Sequence, residues 1–208
     1  MSTHPISWRA DIVLDNSGFE VFSDMCLAHV LQTSGSVKTV VFHAKRMPWF
    51  VSDVTFSDFH WTLERMATAD NFPHSALKML AELWKHNLTS GAWQLKNDVF
   101  FTLPHDYTHL RRISPDLHDH LSKSRLIVFK GDLNYRKLIG DRKWPFDTPF
   151  QKALRGFLPA SVLSLRTLKS DCLAGAELHK TQAAAEQRDD WMIANFFGVI
   201  QFVKKLGH

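Results

Sequence analysis

Residues 125–138, Arg-Leu-Ile-Val-Phe-Lys-Gly-Asp-Leu-Asn-Tyr-Arg-Lys-Leu, run from an apolar stretch straight into a carboxylate, an amide, a phenol, a guanidinium and an ammonium. Four consecutive apolar residues, Leu126 to Phe129, read as a buried strand that ends at Gly131. The polar group after it carries none of the Ser/Gly/Pro filler of an ordinary connection. Loops at the carboxyl ends of strands are where α/β sheets hold ligands, so Asp132 to Lys137 form one candidate site, with a solvated loop as the plain alternative. A second stretch has the same order: Ile12-Val-Leu14, then Asp15-Asn16-Ser17-Gly18, then an amphipathic run.

Asp15 and Asn16 offer hard oxygen donors of the kind that suit magnesium, manganese or calcium. A third carboxylate is needed to hold such an ion, and Asp53, at the end of the extended segment Phe50-Val51-Ser52-Asp53, is the candidate. Helix N-capping is the competing role for Asp15 and Asp53, and for Asp53 taken alone it is the better reading. Arg136, Lys137, Arg166 and Lys169 place positive charge at two strand ends, as a phosphate or carboxylate ligand requires. The alternative is charge facing water, which fits Lys137 best. Among the 12 histidines, His105 and His109 lie four apart but lack the Glu of an H-E-x-x-H motif, and His118 and His120, two apart, would diverge on a helix. Trp49, Trp61, Trp84, Trp93 and Trp191 read as core or partly buried packing. There is no G-x-G-x-x-G, no P-loop and no G-x-S-x-G elbow. The first strand also lacks the second Asp of an aspartyl-phosphate phosphatase.

The elements that must position these groups follow from the pattern. Strands are expected at 11–14, 37–43, within 93–101 before or around Asp98, and at 126–129, 162–166 and 197–203, with helices at 18–33, 56–68, 73–86, 115–123 and 150–156. The face of the first helix is Phe19, Phe22, Met25, Cys26 and Val30; Pro73 opens the third. Residues 104–112 and the stretch after Asp132 are irregular. This alternation predicts an α/β sandwich with a mainly parallel sheet and a βαβ unit formed by the first two strands. Residues 1–10 are a short lead-in and residues 11–208 a single domain.

Composition excludes several classes. With 45% hydrophobic and 22% charged residues the chain is globular. The net charge of +4 comes from short basic groups such as Lys45-Arg46 rather than one stripe, which argues against nucleic acid. No apolar run is long enough for a membrane span and the first ten residues have no leader-like core. Cys26 and Cys172 read as buried free thiols, so the expected location is cytoplasmic, with the nucleus as the alternative.

Asp15 to Glu20, Ser52-Asp-Val54 with Phe59 to Leu63, Lys130 to Leu138, and Arg166-Thr-Leu-Lys169 together resemble the damage-control phosphatases. That family is also described as acidic-residue (protein-glutamate) methyltransferases, and the closest likeness is to its subgroup with an Arg-Thr-x-Lys motif that acts on sugar phosphates. The resemblance runs from about residue 10 to about 203. It implies a Rossmann-like three-layer α/β/α sandwich. It implies a divalent metal (Mn, Co, Ni or Mg) on Asp15, Asn16 and Asp53, the catalytic set. Substrate contacts would fall to Asp15, Asn16, Asp132, Leu133, Asn134, Tyr135, Arg136 and Lys169. Glu20 and Asp53 take the positions where the methyltransferase description has S-adenosylmethionine, against a plain reading of Glu20 as a first-turn helix acid. The implied ligand is a small phosphorylated metabolite such as fructose 1-phosphate. Members of the subgroup carry a mostly helical region before the first Asp-Asn pair, whereas 14 residues precede Asp15 here. The expectation is therefore a shortened chain, a phosphatase with a protein-glutamate methyltransferase or an inactive truncated relative as the alternatives, whose apolar segment around Met47-Pro48-Trp49-Phe50, with Phe56, Phe59 and Trp61, is uncovered and drives self-association.

Overall fold

The computed structural model describes residues 8–68 and 74–206, and the chain divides into two compact units, Trp8–Leu103 and the part from Pro104 onward. The expected lead-in lies outside the described residues as far as residue 7, and so does Pro73.

In the first unit, strands β1 (Arg9–Val13), β2 (Thr39–His43) and β3 (Trp93–Lys96) pair in parallel in the order β3-β2-β1. The first strand thus starts before residue 11. Ile12 lies opposite Phe42, and helix α1 (Phe19–Thr33) connects the two strands, giving the expected βαβ unit. Ile12, Val13, Leu14, Val40, Val41 and Phe42 are all fully buried. Such unbroken apolar runs are what a parallel strand covered on both faces requires. Helices α2 (Phe56–Ala67) and α3 (His74–Thr89) bring Phe59 and Trp84 to the core, where Phe42 meets Phe59 at 5.0 Å and Trp84 meets Trp93 at 5.5 Å between ring centroids.

Two expectations fail in this unit, and a third is narrowed. The buried stripe of α1 is Val21, Asp24, Met25 and Ala28, while Phe19 and Val30 are exposed. The i, i+4, i+7 row of smaller side chains fits against the sheet, leaving the residues beside it outside. The strand expected before or around Asp98 lies before it, at Trp93–Lys96, and Val99-Phe100-Phe101 forms a 3-10 turn capped by Asp98. Trp61 is 59% exposed and does not pack in the core.

In the second unit the order is β4-β5-β6, with β4 (Leu126–Lys130) parallel to β5 (Ser161–Thr167) and β6 (Gly198–Val203) antiparallel to β5. The sheet is therefore mainly parallel and the class is α/β, as expected. A 3-10 turn at Tyr107–His109 and helix α4 (Leu110–Ile113) occupy a stretch expected to be irregular, before α5 (Pro115–Ser122). The largest difference is α6 (Gly131–Ile139), because its polar run was expected to be loop. Eight of its residues are buried, so the polar side chains point inward and are satisfied there. Helices α7 (Phe150–Ala153) and α8 (Leu178–Gln187) follow, the last not among the expected elements. Cys172 is buried as expected, but Cys26 is only half-buried. No helix among the described residues is long and apolar enough to cross a membrane.

Candidate active site

The first unit ties its two acidic turns together through the backbone. Asn16 and Asp53 form an isolated antiparallel bridge, flanked by Ser17 N–H to the Ser52 carbonyl at 2.8 Å and Val54 N–H to the Asp15 carbonyl at 2.9 Å. Helix capping does not use either acid. Gly18, at φ 71°, is the N-cap of α1, and Thr55 caps α2 in a reciprocal capping box with Asp58. Both carboxylates are nearly buried, Asp15 at 5% and Asp53 at 2% exposure.

Side chains complete the cluster. The Asn16 amide nitrogen donates to Asp15 Oδ2 at 2.9 Å and to Glu20 Oε2 at 2.8 Å, and its oxygen accepts from Ser52 Oγ at 2.6 Å. Asn16 therefore holds Asp15 and Glu20 side by side, which gives Glu20 a definite place in the cluster. The Asp53 Oδ2 atom accepts from the backbone N–H groups of Trp49 and Phe50 at 2.9 and 3.0 Å. Its Oδ1 is buried and has no hydrogen-bond partner among the described residues, and the Lys45 Nζ lies 3.4 Å away. The oxygen donors of Asp15, Asn16 and Asp53, one of them buried without a hydrogen bond and facing only the Lys45 ammonium, are of the type that fits a hard divalent ion. Reading the sequence missed Lys45 and Ser52. The available signal for Lys45 was a charge set directly after the buried run Phe42, His43 and Ala44 at the end of β2. A second buried pair, His43 Nε2 to Asp11 Oδ1 at 2.6 Å, also went unnoticed.

In the second unit Asp132 is the hub. Its Oδ1 accepts from Arg166 Nε at 2.8 Å, from Ser170 Oγ at 3.0 Å and from the Lys169 backbone N–H at 3.4 Å. Arg166 is buried, donates further to the Cys172 carbonyl at 2.6 Å and stacks 4.1 Å from the Tyr135 ring centroid. Tyr135 both donates to and accepts from the Ala174 backbone at 3.1 Å, and burial pushes its phenol up to about 12. Asn134 accepts from the Tyr107 hydroxyl at 2.8 Å and donates to the Lys130 carbonyl at 2.7 Å. Leu133 is buried. Arg136 is half-exposed and bound through two nitrogens to Asp141 at 2.9 and 2.7 Å, a contact that raises the guanidinium's pKa and lowers that of the carboxyl. Lys169 is exposed, while Lys137 is buried with its ammonium 5.6 Å from the Tyr107 ring centroid. The surface reading of Lys137 is thus wrong, because α6 turns that face inward.

Mainly parallel strands alternating with helices define the class as α/β. The damage-control phosphatase ARMT1-like domain matches residues 4–184, and the chain belongs to this family. It is 45% identical over 193 residues to the damage-control phosphatase ARMT1 of Xenopus tropicalis, covering 93% of this chain and 43% of that protein. The human protein of the same name is 41% identical over 194 residues, with 93% of this chain and 43% of the relative covered. The zebrafish (Danio rerio) protein is 44% identical with the same coverage. The chain spans less than half the length of these relatives.

Proposed function

We propose that this chain carries the metal-dependent phosphomonoesterase chemistry of a damage-control phosphatase, acting on small sugar phosphates of the fructose 1-phosphate kind. The observation that carries the reading is the backbone bridge between Asn16 and Asp53, which joins two acidic turns from distant parts of the sequence. Asp15, Asn16 and Asp53 would hold the ion through oxygen. When bound, a divalent ion supplies Lewis-acid polarisation of the phosphoryl oxygens and neutralises part of their charge.

The chain's own residues prepare that site. Asn16 fixes the neighbouring acids, two backbone N–H groups aim Asp53, and burial keeps water from screening the charges. A phosphate monoester brings up to about two negative charges. The family resemblance assigns its recognition to the 132–136 segment and Lys169. The exposed ammonium of Lys169 and the oriented guanidinium of Arg136 suit that task.

Phosphate release from fructose 1-phosphate should vanish with a chelator and return with manganese, cobalt or nickel. In Asp15→Ala it should fall at least about a hundredfold, or about 2.7 kcal/mol. Lys169→Ala should raise KM more than it lowers kcat. Methyl transfer from S-adenosylmethionine to protein carboxylates in the presence of chelator, without phosphate release in manganese, would replace this reading with the other one.

A further inference from the structure

Lysines are almost never fully buried unless they are paired. Lys45 is 1% exposed, and its ammonium has no hydrogen-bond partner among the described residues. Its backbone N–H is tied to the Val54 carbonyl at 2.9 Å, so the side chain starts beside the acidic turn. The nearest acid is Asp53, whose Oδ1 stands 3.4 Å away and is equally without a hydrogen bond. That separation lies beyond the 2.7–3.2 Å range of a good N–H···O bond. The remaining contacts of Asp53, Asn16 and Ser52 fall between 2.6 and 3.0 Å. The loose pair therefore belongs to a tightly bonded frame in which Asn16 also holds the Asp15 and Glu20 carboxylates.

We propose that Lys45 is the resident counter-cation of Asp53. It is a positioning residue that balances the carboxylate when no divalent ion is held, and it competes with the ion for that carboxylate. This inference rests on the proposed metal site. The turn can then fold without an ion, because one positive charge is built into it. When an ion is held, the same charge weakens the ion's attraction to the cluster and keeps the site from becoming too negative for a phosphorylated ligand.

The test compares the parent chain with Lys45→Met and Lys45→Arg by thermal unfolding with and without manganese and by calorimetric titration with manganese. Lys45→Met should lose stability without the ion, gain more from manganese than the parent, and bind it at least about tenfold more tightly. Lys45→Arg, which keeps the charge, should bind it within about threefold of the parent. If Lys45→Met fails to fold without the ion, refolding in manganese should recover it. An equal loss of stability in both conditions, unchanged or weaker manganese binding by Lys45→Met, or no recovery in manganese would each overturn the proposal. If the parent binds no manganese, the metal site itself is wrong and this role falls with it. Normal binding by the parent without tightening in Lys45→Met removes only the role of Lys45.

Discussion

Arg166 belongs to the motif that suggested substrate binding, yet its guanidinium is spent inside the protein on Asp132, Ser170 and the Cys172 carbonyl. It pins α6 to the segment after β5. Removing it leaves the Asp132 carboxylate, 9% exposed, without its counter-charge. Breaking a buried pair in this way costs about 3–5 kcal/mol. We expect Arg166→Ala to lose about that much in urea unfolding, whereas Lys169→Ala, being exposed, should stay within about 0.5 kcal/mol of the parent. Near-parental stability of Arg166→Ala would show that Asp132 has another partner of equal strength. Asp106 offers a pH test at the same scale. Burial would raise its pKa, but hydrogen bonds from Thr108 and Arg155 outweigh that and lower it from 3.8 to about 2. A carboxyl with a lowered folded-state pKa stabilises the fold above its unfolded value and loses that contribution as pH falls through the folded one. Asp106→Asn should therefore be less stable than the parent near neutrality, with the gap closing between pH 3.8 and about 2. A gap that does not change with pH would assign the effect to packing.

Elements decide which polar residues are available to a ligand. Thr55 and Asp58 take over the N-terminus of α2, and this releases Asp53 to face Lys45 and the Asn16 turn. Helix α6 ends on Gly140 at φ 74°, a left-handed cap with the Arg155 guanidinium laid against its bare Cα. A Cβ there would stand 2.5 Å from Arg155 Cζ, and Arg155 is anchored to Asp106 at 3.1 Å. Gly140→Ala should cost about 1–2 kcal/mol in backbone strain alone, plus the displacement of that guanidinium. Its melting temperature should drop by several degrees. An unchanged value would mean that Arg155 swings aside freely and the strain is absorbed elsewhere.

For the molecule as a whole, the net charge is +4, and the loop after Lys45 carries one of the exposed apolar stretches among the described residues. Met47, Phe50 and Val51 are 60%, 45% and 100% exposed, and Trp61 is 59% exposed, whereas Phe59 is fully buried and contributes nothing outside. Apolar groups exposed together beyond a few hundred Å² mark a contact surface. We expect hydrophobic-dye binding and concentration-dependent association in light scattering, both reduced by Phe50→Ser with Val51→Ser. A monodisperse, dye-silent chain would show that this loop is tolerated in water.

The sequence by itself determined the α/β class, most strand positions and the two acidic turns, because apolar runs that stop on polar clusters are local patterns. It also marked Asp15, Asn16 and Asp53 as oxygen donors, but left Asp53 undecided between ligand and cap. Only the tertiary structure removed the cap, by giving the N-terminus of α2 to Thr55 and joining the Asp53 turn to Asn16 through the Ser52 hydrogen bond across 36 residues. It turned the polar run 131–139 into a buried helix, since Asp132 meets Arg166 34 residues away and Asn134 meets Tyr107 27 residues away. It also gave Lys45 its partner. Periodicity reports which side of an element is apolar. It carries no information about which distant polar group will satisfy an inward-facing one, and that pairing exists only once the chain has folded.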